Sequence, residues 1–272
     1  MVMRKHGWLG VYAVAYLVFL YAPVLLLPLF AFNDGTIIAF PLKGFSTRWF
    51  EELWQTAAVH RAVENSLYVG LATAVISTTL GIFAARAGAR YAFPGKRGIL
   101  GFIMLPLVLP EIIIATSLLV VLVQLGFGLS LGLVVLGHVL LCLPFSISIL
   151  NASFQGFDRN LEEASQDLGE SALMTFWRVT LPLVTPGIIA SLLISFTISL
   201  DEFIIAFFLT GTEPTLPVYI WSQLRFTAKL PSMMALGFLL LLFSLVLLVT
   251  AEYFRRRSRA RASGGDPSGG MM

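Results

Sequence analysis

The chain has 272 residues, 57% hydrophobic and 12% charged, with a mean hydropathy of +0.87 and a formal net charge of +3. That balance excludes an ordinary soluble domain, in which about a quarter of residues are charged. It argues against a nucleic-acid binder too, because the basic residues fall between apolar runs and not on one face; the single Cys142 excludes an internal disulfide framework.

Six apolar runs are long enough to cross about 30 Å of hydrocarbon, which takes roughly 20 helical residues. They cover 8–32, 63–85, 99–125, 131–153, 186–209 and 232–254. The first is longer than the apolar core of a secretory signal, and no small-residue cleavage site follows it, so it counts as a span. The expected fold class is an all-α membrane protein with six transmembrane helices over 1–254 and a basic, disordered tail over 255–272.

Lys and Arg collect on the cytoplasmic side of membranes. Placing both termini there puts Arg4, Lys5, Arg86, Arg90, Lys96, Arg97, Arg159, Arg178, Arg255, Arg256, Arg257, Arg259 and Arg261 inside, and leaves only Lys43, Arg48, Arg61, Arg225 and Lys229 outside. Both termini are therefore expected in the cytoplasm. The Arg cluster before "ASGGDPSGGMM" is expected to anchor the chain and to meet anionic lipid.

After the first span, "STRWFEELWQTAAVHRAV" repeats Trp49, Phe50, Leu53, Trp54 and Ala57 at helical spacing behind Ser46, a candidate cap. A short helix follows from this, either lying in the outer interface or packed as a lid on the bundle.

Motifs for chemistry are missing. In "GARYAFPGKRG" six residues separate Gly88 and Gly95 where a phosphate loop needs four, and Arg97 stands where Ser or Thr is required. His6, His60 and His138 fall in three different compartments, which speaks against a zinc site; no cofactor is expected. His138, alone in an apolar span, suits an interhelical hydrogen bond.

The inner loop "LEEASQDLGESALMTFWRVTLPLVTPG", residues 161–187, is the one rich in acids. Asn160 can cap a helix running to Leu168 and stopping at Gly169, with Leu161, Ala164 and Leu168 on one face. A second helix is expected from Ser171, with Leu173, Phe176, Trp177 and Thr180 near one face, until Pro182 and Pro186 break it. Its acids, Glu162, Glu163, Asp167 and Glu170, favour a protein partner over a lipid surface.

Glu163, Ala164 and Ser165, three residues, Gly169, nine residues, then Val179, Thr180, Leu181 and Pro182 resemble the E-A-A-x3-G-x9-I-x-L-P loop of ABC importer permeases. Ser165 replaces the second Ala and Val179 the Ile. More widely, "HVLLCLPFSI", "GFDRNLEEASQDLG", "SFTISLDEFIIAFFLTG" and "TLPVYIWSQLR" resemble the polyamine permeases of bacterial spermidine and putrescine importers. The resemblance implies a type I importer permease fold with cytoplasmic coupling helices in a loop over 155–185. Glu163, Ala164, Ser165, Gly169, Leu181 and Pro182 would dock on a partner ATPase dimer that hydrolyses the ATP. It further implies a second, different permease subunit, a periplasmic polyamine-binding protein and a multi-pass place in the bacterial inner membrane. Permeases for ferric iron, sulfate or phosphonate share this loop. A proton-coupled secondary carrier would use intramembrane acids without needing the loop, and a membrane scaffold would explain the loop without the acids.

Those acids are Glu111, Asp201 and Glu202, expected at similar depth in the third and fifth spans. A charge at the bilayer centre costs about 2.5–3.5 kcal/mol on insertion scales, so such residues mark a path, a relay or a counter-ion site. Successive helical positions differ by about 100°, so Asp201 and Glu202 face different ways. Asp201, with Thr197 and Ile194, is expected to line the path; Glu202 shares its stripe with Ser191, Ser195, Ser199 and Ala206, small residues suited to helix contact. Pro106 and Pro110 free backbone groups beside Glu111, which is tolerated near a water-filled cavity. Carboxylates there favour a passing ammonium and oppose an anion, unless they pair with fixed cations of a second subunit. Asp201, Glu111, Glu202 and Thr197 are the expected substrate path.

Overall fold

A computed structural model describes residues 7–263, with side chains described from Trp8 to Tyr253. The expectations on Arg4, Lys5, His6 and residues 264–272 lie outside the described residues, as do the side chains of the Arg cluster. Among the described residues all regular structure is helical, apart from one isolated bridge between Asn33 and Phe45. Five helices among the described residues are long and apolar enough to cross a membrane: Trp8–Ala31, Ala57–Arg90, Leu131–Gln155, Ala172–Asp201 and Thr227–Tyr253.

The chain forms two compact units, Met1–His60 with Tyr219–Phe243, and Arg61–Val218 with Ser244–Met272. In the first, α1 (Gly7–Ala31) leads into a loop and α2 (Arg48–Gln55). Trp49 and Leu53 are buried, and Trp49 Nε1 donates to the Asn33 carbonyl at 2.8 Å, so this face of α2 packs on protein. Phe32 sits 5.0 Å from Phe50 and 5.8 Å from Phe238, ring to ring. Trp54 is 80% exposed, and the helix stops at Thr56, which places Ala57 in the next element. Ser46 accepts the Arg48 N–H at 3.2 Å, although Thr47 holds the cap position.

The second unit holds most of α3 (Ala57–Arg90), whose 34 residues span roughly 50 Å at 1.5 Å each. The predicted span over 99–125 is divided. Its pieces are α4 (Lys96–Ile103), a 3-10 turn at Leu105–Leu107 and α5 (Glu111–Gln124). Pro106 and Pro110 are the cause, since each lacks an N–H, and Pro110 takes an extended ψ of 129° ahead of α5. Next come α6 (Leu131–Gln155), α7 (Asn160–Asp167), α8 (Ala172–Thr175), α9 (Leu181–Asp201), α10 (Ile204–Leu209) and the start of α11 (Leu216–Gln223), whose residues from Tyr219 on belong to the first unit; α12 (Leu230–Ser263) gives its later part to the second. Because α12 runs to Ser263, the basic segment begins inside a helix.

The predicted span over 186–209 needs two corrections. It starts earlier, because Pro182 does not break the chain: a π-helical turn at Phe176–Thr180 widens the backbone around Arg178, the carbonyl that a proline at 182 would otherwise meet. It also stops earlier, at Asp201, since Glu202 is extended (φ −70°, ψ 123°) and α10 restarts at Ile204.

The core of this unit joins Val69, Ile114, Leu122, Val134, Leu141, Ile205, Leu209 and Val218. α6 and α9 approach through small residues. Ser146 and Ser195 hydroxyls meet at 2.9 Å, Thr78 of α3 meets Ser191 at 2.9 Å, and a Cβ on Gly187 would collide with Ser153. Without a hydrophobic drive between helices in lipid, close packing and such hydrogen bonds hold them together.

Candidate functional site

Two groups of residues stand out in the second unit: the acids at the α9–α10 break and the hairpin formed by α7 and α8. The break is built around Glu202. Its carboxylate accepts the Ile205 N–H at 3.0 and 3.1 Å and the Ala206 N–H at 3.2 Å, supplying partners for donors that the start of α10 would leave unmade. His138 of α6 lies behind it, with Nε2 3.0 Å from Glu202 Oε2 and Nδ1 2.7 Å from the Ser199 hydroxyl. Both side chains are buried. A neutral imidazole can carry its proton on Nε2, facing the carboxylate, and accept Ser199 at Nδ1, so the buried carboxylate has two backbone donors and the imidazole edge around it.

Asp201, one residue earlier, is exposed, and its Oδ1 accepts the Ser244 hydroxyl of α12 at 2.9 Å. Thr197, one turn before it, is half-buried and spends its hydroxyl on the Leu193 carbonyl at 2.8 Å. Glu111 is exposed at the first position of α5, where the positive end of the helix dipole favours a carboxylate. Among the described residues no Lys or Arg pairs with any of these acids, and no hydrogen bond joins Glu111 to Asp201, Glu202 or Thr197. The structure thus brings Asp201, Glu202 and Thr197 to one break and leaves Glu111 apart on α5, which packs against α10.

The hairpin has a defined stop. Gly169 takes φ +93°, its N–H donates to the Gln166 carbonyl at 2.9 Å, and the Glu170 N–H reaches back to Ser165 at 3.2 Å. Together these close the end of α7 in the left-handed turn that glycine adopts without cost. At its start, Asp158 and not Asn160 does the capping work, taking the Asn160 N–H at 2.9 Å. The second helix does begin after Ser171, which caps α8 by accepting the Met174 N–H at 3.3 Å.

Glu163, Ala164 and Gly169 are exposed, Ser165 is half-buried against the Thr175 hydroxyl at 3.1 Å, and Pro182 is exposed while Leu181 is half-buried. Leu161, Leu168, Leu173 and Trp177 also stand in the open, Leu168 at 88%. The expected face of the second helix splits, because Phe176 and Thr180 turn inward while Leu173 and Trp177 do not. Glu162 departs most from expectation. It is buried, with Oε2 3.1 Å from Arg90 Nε and Oε1 accepting the Thr180 hydroxyl at 2.6 Å, and presents nothing to a partner.

Residues 77–260, from the middle of α3 through the hairpin and the break into α12, match the family described as binding-protein-dependent transport system inner membrane component. The chain belongs to this family. As a multi-pass inner-membrane component, it is a membrane subunit of an ABC importer that works with a substrate-binding protein and a separate ATPase. This inner membrane component is similar to the spermidine/putrescine transport system permease protein PotC of Shigella flexneri, 31% identical over 258 residues that cover 94% of this chain and 97% of PotC. It is also similar to the putrescine transport system permease protein PotI of Escherichia coli (strain K12), 36% identical over 231 residues and 82% of each chain. In fold it is similar to a solved bacterial ABC transporter involved in the import of the acidic polysaccharide alginate, with 20% identity, a TM-score of 0.68 and coverage of 93% of this chain and 96% of the other.

Proposed function

We propose that this chain is one of two permease subunits of an ATP-driven importer that carries polyamines of the spermidine and putrescine class into the cytoplasm. The observation that carries the reading is the likeness to PotC along 94% of the chain, with PotI beside it. Asp201 supports it independently. This carboxylate is exposed at a helix break, held by a neutral hydroxyl and unpaired with any Lys or Arg among the described residues, and so available to a passing ammonium group.

In this account the chain crosses the membrane six times, the shorter α5 with the segment before it making the third crossing, and both termini lie in the cytoplasm. Asp201 and Glu111 meet the cation, Thr197 extends the Asp201 face, and Glu202 fixes the break from behind through His138. Glu163, Ala164, Ser165, Gly169, Leu181 and Pro182 form the docking loop of an ATPase dimer. A second, different permease and a periplasmic polyamine-binding protein complete the importer, and the basic end of α12 meets anionic lipid. The test is uptake of labelled putrescine and spermidine by vesicles holding this chain with its partner permease, ATPase and binding protein. ATP-dependent accumulation of either supports the reading. Uptake of ferric iron or an oxyanion with neither polyamine contradicts it.

A further inference from the structure

Of the hairpin's four acids, only Glu162 is buried, and its two oxygens are taken by two different elements. Oε2 pairs with Arg90, the last residue of α3, at 3.1 Å; Oε1 accepts from Thr180, the residue before α9, at 2.6 Å. Arg90 is held there by charge and packing: its guanidinium lies 4.5 Å from the Phe157 ring centroid, and its Nε and Nη2 are buried with no hydrogen-bond acceptor among the described residues, so Glu162 meets it as an ion pair. Nearby, Arg86 of α3 stacks on Phe176 at 4.3 Å. The other hairpin pairs, Arg159 with Glu163 and Arg178 with Glu170, are exposed, where an ion pair contributes little and yields easily.

A buried carboxylate with both oxygens in use behaves as a stiff joint. If α7 shifts, Arg90 and Thr180 must follow, or a charge is left buried without its partner, which is the costlier outcome. Ser165 and Thr175 bind α7 to α8 across the hairpin, so the two helices shift together. The exposed face with Leu161, Ala164 and Leu168 remains free for a partner.

We propose that Glu162 is a positioning residue that passes displacement of the docking hairpin to α3 and α9 at once, so that breaking its pairing with Arg90 uncouples ATP hydrolysis from transport. This rests on the hairpin receiving the ATPase. The joint itself touches neither substrate nor ATPase, and its effect is on the number of substrate molecules moved per ATP.

The test compares wild type, Glu162→Gln, Thr180→Val and the exchange Arg90→Glu with Glu162→Arg, each in the complete importer in vesicles with loaded binding protein, measuring ATPase co-purification, ATP hydrolysis and uptake together. Glu162→Gln is expected to recruit the ATPase and hydrolyse ATP while uptake per ATP falls about 5- to 150-fold, the range of coupling between linked sites. Thr180→Val, which keeps the charge pair, should lose less in the same direction, and the exchange should recover part of the ratio. An unchanged uptake per ATP in both Glu162→Gln and Thr180→Val overturns the proposal; if Glu162→Gln does not accumulate in the membrane, an unchanged ratio in Thr180→Val alone does so. A wild-type chain that recruits no ATPase would instead remove the docking reading, and this inference with it.

Discussion

His138 and Glu202 form a buried pair between α6 and the α9–α10 break, with Nε2 and Oε2 3.0 Å apart and Ser199 on the far side of the imidazole. The pair explains how a carboxylate survives inside the unit: it is capped by two backbone N–H groups and faced by a ring that can donate. Removing the donor that faces a buried group costs about 1–3 kcal/mol, and more when that group is charged. His138→Ala is therefore expected to lower the melting temperature of the detergent-solubilised chain markedly, and His138→Gln, which retains a donor, less so. Equal melting of His138→Ala and wild type would contradict the pairing.

Close approach of α6 to α9 and to α10 gives a second prediction. A Cβ on Gly187 meets the Ser153 side chain, and one on Gly137 comes within 2.5 Å of Ile205 Cγ2. Overpacking of this kind costs about 1–3 kcal/mol. Gly187→Ala and Gly137→Ala should each reduce thermal stability, whereas Gly98→Ala, with open space around it, should not. The reverse order would mean that the helices lie further apart.

At Gly169 the strain is purely one of backbone, since nothing lies within 4 Å of an added Cβ. A left-handed residue with a side chain costs roughly 1–2 kcal/mol. Gly169→Val should leave the chain in the membrane but reduce ATPase co-purification, with Gly169→Asn closer to wild type. Glu163→Lys exchanges an exposed pair with Arg159 for like charges at i,i+4, a change worth about 1 kcal/mol or less to the fold, so a loss of recruitment there reports docking. Full recruitment in both Gly169→Val and Glu163→Lys would show that the ATPase binds elsewhere.

Orientation is open to a labelling test. Cys142 is fully buried, so it gives little background, and a cysteine at Glu213 can be read alone. It should react with an impermeant thiol reagent in cells whose outer membrane is permeable, while a cysteine at Gly169 should react only after lysis. The opposite pattern would invert the topology drawn from the basic residues.

Much of this was legible in the chain itself. Long apolar runs place the helices, and the spacing from Glu163 to Pro182 marks the hairpin, because both are local patterns. The stripe of Ser191, Ser195, Ser199 and Ala206 was readable as a contact face for the same reason, and all four are buried. What escaped is pairing between distant segments. Nothing near Glu162 signals that Arg90 waits 72 positions earlier, and Ser244 gives no hint that it holds Asp201. His138 and Glu202 were the exception that could have been matched: a lone imidazole and a lone acid in neighbouring apolar spans each need a partner. Helix breaks are hidden in the sequence where two effects compete. Pro182 reads as a stop, yet a π-helical turn absorbs it, while the stop at Glu202 comes from a side chain that caps the next helix.

Uptake through Asp201→Asn and Glu111→Gln variants, compared for putrescine and spermidine at saturating binding protein, decides whether these carboxylates guide a polyamine cation. A unit charge near the path contributes on the order of 1–4 kcal/mol to a cation about 4 Å away, depending on screening, and about 1.4 kcal/mol is tenfold in rate. Both neutral variants should assemble with the ATPase and lose about tenfold or more of uptake, with the tri-cation spermidine losing more than the di-cation putrescine. Wild-type uptake of both polyamines through both variants would contradict the account and leave these acids as partners for the second permease.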